Sequence, residues 1–195
     1  KTFAELGKME ADVVVDFSHH SAVADVLAYA KEIGAAAVIG TTGHTAGEKE
    51  LIYAAAKEIP VFYSGNMSLG IAVLCRLARQ AAACFPEADI EIVEIHHNRK
   101  VDAPSGTALM IADAAASACG HDSEYVYERH SVRQPRSKKE IGISAVRGGT
   151  IVGEHEIIFA GHDEAMEIKH TALSREIFAQ GAVEAAKFMA TAETP

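Results

Sequence analysis

The amino-acid sequence predicts an α/β protein built in two parts, and three observations lead to this prediction. Over the first third of the chain, short continuous apolar runs alternate with helical patterns, as in parallel sheets whose strands are buried on both faces. Further along, the runs alternate apolar and polar residues with little helix between them, which is typical of a mixed or antiparallel sheet. A helical pattern then closes the chain. We therefore expect a parallel-sheet segment, an inserted mixed α+β segment, and a last helix that returns to the first segment.

The first segment has a strand–helix–strand–helix–strand order with short loops. Its predicted strands are ADVVVDFS, AAAVIG and PVFYSG, residues 11–18, 35–40 and 60–65. Ser21 is expected to cap the first helix and Gly34 to end it. The second helix follows a GTTG turn and stops before Pro60, because proline cannot continue a helix. This order is typical of doubly wound sheets.

The inserted segment begins with a long helix, residues 67–85, that has a wide apolar face. The strand ADIEIVEIHH follows, and its alternation predicts one face in the core and one in water. A second helix is expected between an N-cap at Ser105 and an end at Gly120. The strands that follow are predicted in IGISAVRGG, TIVGEHEIIFAG and EAMEIKHTAL.

Length and composition limit the class of protein. A chain of 195 residues, 49% hydrophobic and 23% charged, is typical of a globular protein with a real core. It contains no apolar run near the roughly 20 residues of a membrane span, and its start shows no signal-peptide pattern. A net charge of -9 disfavours nucleic acid and anionic membranes as partners. Its three widely spaced cysteines are expected to be buried free thiols in a reducing cytoplasm.

Most of the polar chemistry is concentrated in EIHHNRKVDAPSGTAL, residues 94–109. The strand ends at His96 and His97, whose side chains should point to opposite faces. Histidine supplies a group that titrates near neutrality, and Lys100 supplies a cation and a possible proton donor. The segment around Asp102 is expected to turn before Pro104.

A helix start follows directly on this turn. Ser105 is predicted as its N-cap, and the first N–H groups, at Gly106 and Thr107, form a ready site for an anion. Together with the histidines and the lysine, this arrangement predicts a pocket for a carboxylate. One alternative is that the segment is only a capped helix start with surface histidines. A zinc site is disfavoured because no pair has a recognisable ligand spacing; its available ligands would be His96, His97, Asp102, His155 and His170.

Two turns follow predicted parallel strands: GTTG, residues 40–43, and SGNMS, residues 64–68. Ligands of doubly wound sheets bind beyond the carboxyl ends of the strands. Both turns offer small residues and backbone amides on which a flat cofactor can lie, although each signal is weak alone. The sequence has no G-x-G-x-x-G turn in a strand–turn–helix context, so the usual pyrophosphate loop is absent from it.

These motifs resemble those of the dihydrodipicolinate reductase family of bacterial lysine and diaminopimelate biosynthesis. EIHHNRKVDAPSGTA matches the family signature E-x-H-H-x-x-K-x-D-A-P-S-G-T-A. Further matches, in the family's order, are VVVDFS, VIGTTG, SGNMSLG, VRGGTIVGEHEIIFAG and EIKHTALSREIFAQGAVEAAKF. The resemblance implies part of a Rossmann dinucleotide-binding domain in residues 1–66 and 172–195. It also implies a mixed α+β domain for substrate binding and tetramerisation in residues 67–171.

The resemblance also implies an activity: 4-hydroxy-tetrahydrodipicolinate, or dihydrodipicolinate, is reduced to tetrahydrodipicolinate with NADH or NADPH, in a cytoplasmic homotetramer. By resemblance, His96 is the acid/base residue and Lys100 the proton donor, with no metal involved. The implied substrate-binding residues are His97, Ser105, Gly106 and Thr107. The implied cofactor-binding residues are Gly40, Thr41, Thr42, Ser64, Gly65, Asn66 and Met67.

The chain departs from the family at its start. Members begin with a strand and a G-x-x-G-x-M-G loop that this sequence lacks. We therefore expect a shortened nucleotide-binding domain, with an exposed sheet edge or apolar face and weak cofactor binding and turnover by this chain alone. The alternatives are a non-catalytic fragment that binds dicarboxylates and oligomerises, and a metal hydrolase that uses His96 and His97.

Overall fold

The computed structural model describes residues 7–192 and divides the chain into two compact units. Unit 1 is Lys1–Met67 with Glu176–Pro195, and unit 2 is Ser68–Arg175. We predicted the boundaries after residues 66 and 171; residues 1–6 and 193–195 lie outside the described part. The roles assigned to the two parts stay predictions.

The predicted alternation of helices and strands is present. Within residues 7–192, the α-helices are α1 (Val23–Ile33), α2 (Ala46–Ala55), α3 (Leu69–Cys84), α4 (Gly106–Ala116) and α5 (Glu176–Met189). The strands are β1 (Val13–Asp16), β2 (Ala36–Ile39), β3 (Val61–Tyr63), β4 (Asp89–His96), β5 (Glu124–Val126), β6 (Glu140–Arg147), β7 (Gly153–Ala160) and β8 (Ala165–Ala172). The short strand β5 was not predicted.

Unit 1 contains the predicted parallel sheet, in the order β1-β2-β3. Helices α1 and α2 bury one face against Ala37 and Ile39, and α5 buries the other against Ala36 and Val38. The expectation that β1 is buried on both faces is wrong, because Val15 is 46% exposed on the α5 side. In the described sheet β1 is an edge strand, and its apolar face is partly open.

Local signals at the ends of α1 had different outcomes. Gly34 ends the helix as predicted, with a φ of 70° that glycine adopts without strain. Ser21 is not the N-cap. Ser21 lies inside a short 3-10 turn, where its own N–H donates to Nδ1 of His19. The N-cap position of α1 is Ala22, which has no side chain that could cap the helix.

Unit 2 contains the predicted mixed sheet, in the order β5-β6-β4-β7-β8. The pairs β4–β6 and β5–β6 are parallel, and β4–β7 and β7–β8 are antiparallel. Helices α3 and α4 pack together on one face of this sheet, over Ile92, Ile143 and Ile157. The other face carries polar and apolar side chains such as Glu156 and Val146.

Helix α4 is shorter than predicted. Its N-cap is Ser105, as expected, but the helix ends at Ala116 rather than at Gly120. The Ser117 hydroxyl donates to the Ala114 carbonyl at 2.7 Å and so closes the last turn early.

The cysteines are free, as predicted, but the expectation that all are buried is wrong. Cys75 and Cys119 are half-buried, while Cys84 is exposed at the last residue of α3. Over the described range, no helix combines the length and the apolar character needed to cross a membrane.

Candidate active site

Strand β4 carries polar side chains into the covered face of the unit 2 sheet. Its residues alternate between buried and half-buried, and the buried series is Ile90, Ile92, Glu94 and His96. The alternation was predicted, but the buried face changes from apolar to charged halfway along the strand. The Glu94 carboxylate and the His96 imidazole therefore lie at the edge of the hydrophobic core that contains Ile90 and Ile92.

Glu94 is fully buried, with 0% exposure, and four hydrogen bonds reach its two oxygens. Oε1 accepts from Arg147 Nη2 at 2.7 Å and from the Ser105 N–H at 3.0 Å. Oε2 accepts from Arg147 Nη1 at 2.7 Å and lies 2.5 Å from His96 Nδ1. Burial alone would raise the pKa of Glu94, but the bonds from Arg147, His96 and Ser105 outweigh it and lower that pKa. The residue is an ionised carboxylate with a bidentate guanidinium partner.

The His96 ring lies between Glu94 and Gly153. Its Nδ1 faces the carboxylate, and its Nε2 would lie 3.0 Å from a Cβ built at position 153. Burial lowers the pKa of His96 below 6.5, although Glu94 acts in the opposite direction. The ring is therefore neutral at neutral pH and presents Nε2 over a position without a side chain.

His155 lies on β7 and contacts Ser105, the N-cap of α4. The sequence predicts no role for His155 other than that of a possible zinc ligand. Its Nε2 is 2.9 Å from the Ser105 hydroxyl, and its ring meets that of His96 edge-on at 5.1 Å between centroids. Burial, together with the nearby His96, lowers the pKa of His155 to about 4. The Ser105 hydroxyl also accepts from the Ala108 N–H at 3.1 Å. Ser105 thus joins the helix cap to a buried neutral histidine.

Lys100 is part of the turn before α4. Its Nζ lies 2.8 and 2.9 Å from the two carboxylate oxygens of Asp102. Burial would raise the pKa of Asp102, but the bond and charge of Lys100 lower it. Arg147 Nη2 also donates to the Asp102 carbonyl at 2.7 Å. Arg147 therefore connects the turn that carries Lys100 to Glu94, because it donates both to the Asp102 carbonyl and to the Glu94 carboxylate.

His97 follows the last residue of β4, and its side chain has a different partner from that of His96. Its Nε2 lies 3.2 Å from Nη2 of Arg175, and its own N–H donates to the Ile151 carbonyl at 2.8 Å. Arg175 had no predicted role, although it belongs to the quoted segment EIKHTALSREIF. The pair places a guanidinium beside the predicted substrate-binding histidine.

Five of the predicted site residues of unit 2, His96, Lys100, Ser105, Gly106 and Thr107, fall into one neighbourhood, whereas the side chain of His97 contacts Arg175 instead. His96 and Ser105 are joined through Glu94, Lys100 is joined through Arg147, and Gly106 and Thr107 form the first turn of α4. The sequence-based prediction missed Glu94, Arg147, His155 and Arg175. Glu94 opens the signature segment, and its place two residues before His96 on a strand was a usable signal.

In unit 1, the predicted cofactor residues follow β2 and β3. Thr41 donates from Oγ1 to the buried carboxylate of Asp16 at 2.6 Å. At Gly40, an added Cβ would lie 2.6 Å from the Phe17 ring, so only glycine lets the ring reach the backbone there. Ser64 Oγ donates to the Asn66 carbonyl at 2.7 Å and fixes the turn after β3. Small residues and ordered backbone at two neighbouring strand ends suit a flat ring such as nicotinamide.

Histidine is a common metal ligand, and several histidines lie in unit 2. Among the described residues, no group of three or more His, Cys, Asp or Glu side chains could hold a metal ion.

Comparison with protein families gives two adjoining matches. The model described as the N-terminus of dihydrodipicolinate reductase matches residues 1–67, and the model of its C-terminus matches residues 70–195. A relative from Caldanaerobacter subterraneus subsp. tengcongensis, named 4-hydroxy-tetrahydrodipicolinate reductase, is 54% identical over 93% of this chain and 72% of its own length. One of the same name from Clostridium tetani is 48% identical over 93% of this chain and 71% of its own length.

A solved structure supports the same relationship. The dipicolinate-bound dihydrodipicolinate reductase from Paenisporosarcina sp. TG-14 is 27% identical, with a TM-score of 0.72 over 91% of this chain and 68% of that one. The fold and these similarities define an oxidoreductase that uses NADH or NADPH. The chain belongs to the dihydrodipicolinate reductase family. The resemblance found in the sequence is thereby confirmed.

Proposed function

We propose that this chain reduces 4-hydroxy-tetrahydrodipicolinate, or its dehydrated form dihydrodipicolinate, to tetrahydrodipicolinate with NADH or NADPH. The reaction belongs to lysine and diaminopimelate biosynthesis. One observation carries the proposal: a buried, carboxylate-bound His96 stands beside the helix start at Ser105, in a chain 54% identical to a relative named for this reaction. The buried charge network argues against a capped helix start with histidines on the surface.

The substrate has two carboxylates, and unit 2 offers two places for them. The first is the start of α4, where the N–H groups of Gly106 and Thr107 and the helix dipole favour an anion. The second is the His97–Arg175 pair, since a guanidinium binds a carboxylate through two parallel hydrogen bonds. Ser105 contributes by holding the helix start, because its hydroxyl is engaged with Ala108 and His155.

The cofactor residues of unit 1 would hold the nicotinamide side of the dinucleotide. They are Gly40, Thr41, Thr42, Ser64, Gly65, Asn66 and Met67. Asp16 orders the first turn through Thr41, and the hydroxyl of Ser64 orders the second. When bound, NADH or NADPH supplies the hydride that reduces the conjugated imine.

The chain's own residues supply and accept protons in this scheme. Reduction leaves an electron-rich nitrogen–carbon unit that must take up a proton, and Lys100 holds one at Nζ. His96 holds or accepts a proton at Nε2, the ring nitrogen that does not face Glu94. Asp102 keeps the Lys100 side chain in place between reactions.

We also assign the assembly and location of the protein. The sheet face of unit 2 opposite α3 and α4 mixes charge with exposed apolar groups such as Val146, which suits packing against other copies in a homotetramer. The free thiols and the nicotinamide chemistry suit the bacterial cytoplasm. The partners are small molecules, since a net charge of -9 repels nucleic acids and anionic membranes.

The first test of this function is the removal of the proposed proton donor. Lys100→Ala should lower the turnover rate on the order of 10²–10⁴-fold, the usual range for general acid catalysis. The rate is followed by loss of reduced-nicotinamide absorbance. Lys187→Ala, which removes an exposed cation of α5 that is paired with Glu184, is the matched control and should leave the rate unchanged. Near-normal turnover by Lys100→Ala would refute the assignment.

Calorimetric titration with pyridine-2,6-dicarboxylate tests the pocket without turnover. Binding by the wild type that is lost in Gly106→Pro, which removes an N–H at the start of α4, but kept in Gly106→Ala, whose Cβ meets nothing within 4 Å, supports a dicarboxylate site at the start of α4. Tighter binding in the presence of NADH supports the reductase. Dicarboxylate binding that NADH does not affect, without turnover, supports the non-catalytic fragment instead.

A further inference from the structure

Glu94 is an unusual component of the site because a fully buried carboxylate is costly unless every lone pair finds a donor. Here the donors come from three elements: Arg147 on β6, Ser105 at the start of α4, and His96 two residues further along β4. The carboxylate therefore has a structural environment that keeps it ionised and fixed.

An ionised carboxylate can only accept hydrogen bonds. His96 Nδ1, 2.5 Å from Oε2, must therefore carry the proton that is shared with Glu94. In a neutral imidazole only one nitrogen is protonated, so Nε2 is left with its lone pair. That nitrogen faces the side where Gly153 provides no side chain, and it is the one that can exchange a proton with a ligand.

The same carboxylate also connects the other parts of the site. Its oxygen Oε1 accepts from the Ser105 N–H at the start of α4. Its partner Arg147 donates to the carbonyl of Asp102, whose side chain holds Lys100. A residue needed only for packing would not have to contact each of these groups.

We propose that Glu94 is a positioning residue that sets the tautomer and orientation of His96 and favours the protonated ring when Nε2 takes up a proton. The claim rests on the proposed function, in which His96 exchanges a proton at Nε2. Glu94 itself touches neither substrate nor cofactor in this scheme. Arg147 assists by keeping Glu94 ionised.

The tautomer can be measured directly in the wild-type protein. Two-bond nitrogen–proton NMR correlations of ¹⁵N-labelled histidine distinguish the two tautomers, and the His96 signals are assigned by their loss in His96→Gln. We expect neutral His96 to carry its proton on Nδ1. A proton on Nε2 would overturn the proposal, and this result does not depend on whether any Glu94 variant folds or on whether the protein turns over substrate.

The kinetic test is Glu94→Gln, which keeps the shape of the side chain but removes its charge. We expect kcat to fall about 10- to 100-fold, with the KM for the dicarboxylate substrate changed less than threefold. The limb of the kcat–pH profile that reports His96 should move to lower pH, because the carboxylate no longer favours the imidazolium. An unchanged profile with wild-type kcat overturns the proposal, and so does a loss of dicarboxylate binding equal to the loss of rate.

Glu58→Gln is the control. Glu58 belongs to unit 1, outside both the proposed site and the sheet face proposed to pack in the tetramer, and it pairs with Lys31 at 2.6 Å, so the variant also removes a cation-bound carboxylate. Its kcat and pH profile should match the wild type. If the wild type neither binds pyridine-2,6-dicarboxylate nor oxidises NADH or NADPH with substrate, the proposed function fails, while the tautomer measurement still decides the role of Glu94.

Discussion

Each unit has a buried carboxylate near the carboxyl end of a strand, but the two carboxylates are stabilised differently. Asp16 ends β1 in unit 1, where hydroxyl and amide donors from Thr41 and Ser18 reach it. Glu94 lies on β4 in unit 2, where a guanidinium, an imidazole and an amide reach it. The bonds to Asp16 order the uncharged turn that contains Thr41. The bonds to Glu94 connect charged and titrating side chains, among them Arg147 and His96.

The difference corresponds to what each unit is proposed to bind. A nicotinamide ring is flat and needs ordered backbone and small side chains, and the turns after β2 and β3 offer these. A dicarboxylate undergoing proton transfer needs cations and a titrating group with a defined orientation. Unit 2 supplies them from the covered face of its sheet. Along β4, the buried side chains on this face change there from apolar, at Ile92, to charged, at Glu94.

The largest difference between the units should appear when each carboxylate is removed. Glu94→Ala should lower the free energy of unfolding by about 3–5 kcal/mol, because it leaves the buried charge of Arg147 uncompensated. Asp16→Ala should cost only about 1–3 kcal/mol, since it removes hydrogen bonds from neutral donors. Urea unfolding followed by circular dichroism, with hydrogen exchange read at the amides of β2 and β4, measures both effects.

Glu50→Ala is the control for this pair, because Glu50 is exposed on α2, outside the sheet face proposed to pack in the tetramer, and should change stability by less than about 0.5 kcal/mol. Equal costs for Asp16→Ala and Glu94→Ala would show that the guanidinium contributes nothing beyond ordinary hydrogen bonding. The distinction between the two units would then be wrong.

Much of the fold could be predicted because local patterns and tertiary structure agree. Continuous apolar runs marked β2 and its neighbours, and alternation marked β4 and β7. The predictions that failed depended on competing local bonds. Ser21 was taken into a 3-10 turn, and the hydroxyl of Ser117 ended α4 before Gly120.

The candidate site was predicted less completely, since a motif shows which residues are present but not which strands lie side by side. Arg147 and His155 are 53 and 61 residues from Glu94 in the chain, yet β6 and β7 both pair with β4. Their side chains meet Glu94 and Ser105 only through this register. Without the sheet order, Glu94 was an acidic residue in a strand that was expected to have one wet face.

His155, one of the buried histidines of unit 2, should make stability fall towards acid. Burial and the nearby His96 lower the pKa of His155 to about 4, from 6.5. The unfolded chain therefore binds a proton between these values while the folded protein does not. The contribution of His155 to the free energy of unfolding is fully present above about pH 6.5. It is lost as the pH falls towards 4, and the loss amounts to about 3 kcal/mol at most. The measurement is the free energy of unfolding in urea at a series of pH values.

His155→Gln should flatten this pH dependence, although it also weakens the cap at Ser105. The exposed His162, in the turn after β7, is the matched control, and His162→Gln should leave the slope as in the wild type. If the free energy of unfolding depends on pH in the same way in the wild type and in His155→Gln, protonation of His155 does not destabilise the folded protein.

The smallest change predicted to affect the site is a single methyl group. In Gly153→Ala the new Cβ would lie 3.0 Å from His96 Nε2 and 3.3 Å from Cδ2, which is closer than ordinary contact. The short bond to Glu94 limits how far the His96 ring can move away. We expect about tenfold slower turnover, because small displacements of a reacting group are costly, with stability reduced by about 1 kcal/mol or less.

Gly148→Ala is the control, because a Cβ there meets nothing within 4 Å and the residue lies in the β6–β7 connection, which leads into Gly153 at the start of β7. Its turnover should equal that of the wild type. Gly153→Ala should also bind pyridine-2,6-dicarboxylate normally, since the start of α4 is untouched. Normal turnover by Gly153→Ala would show that the exact position of Nε2 does not matter. The carboxylate at Glu94 would then serve the stability of unit 2 rather than the orientation of its histidine.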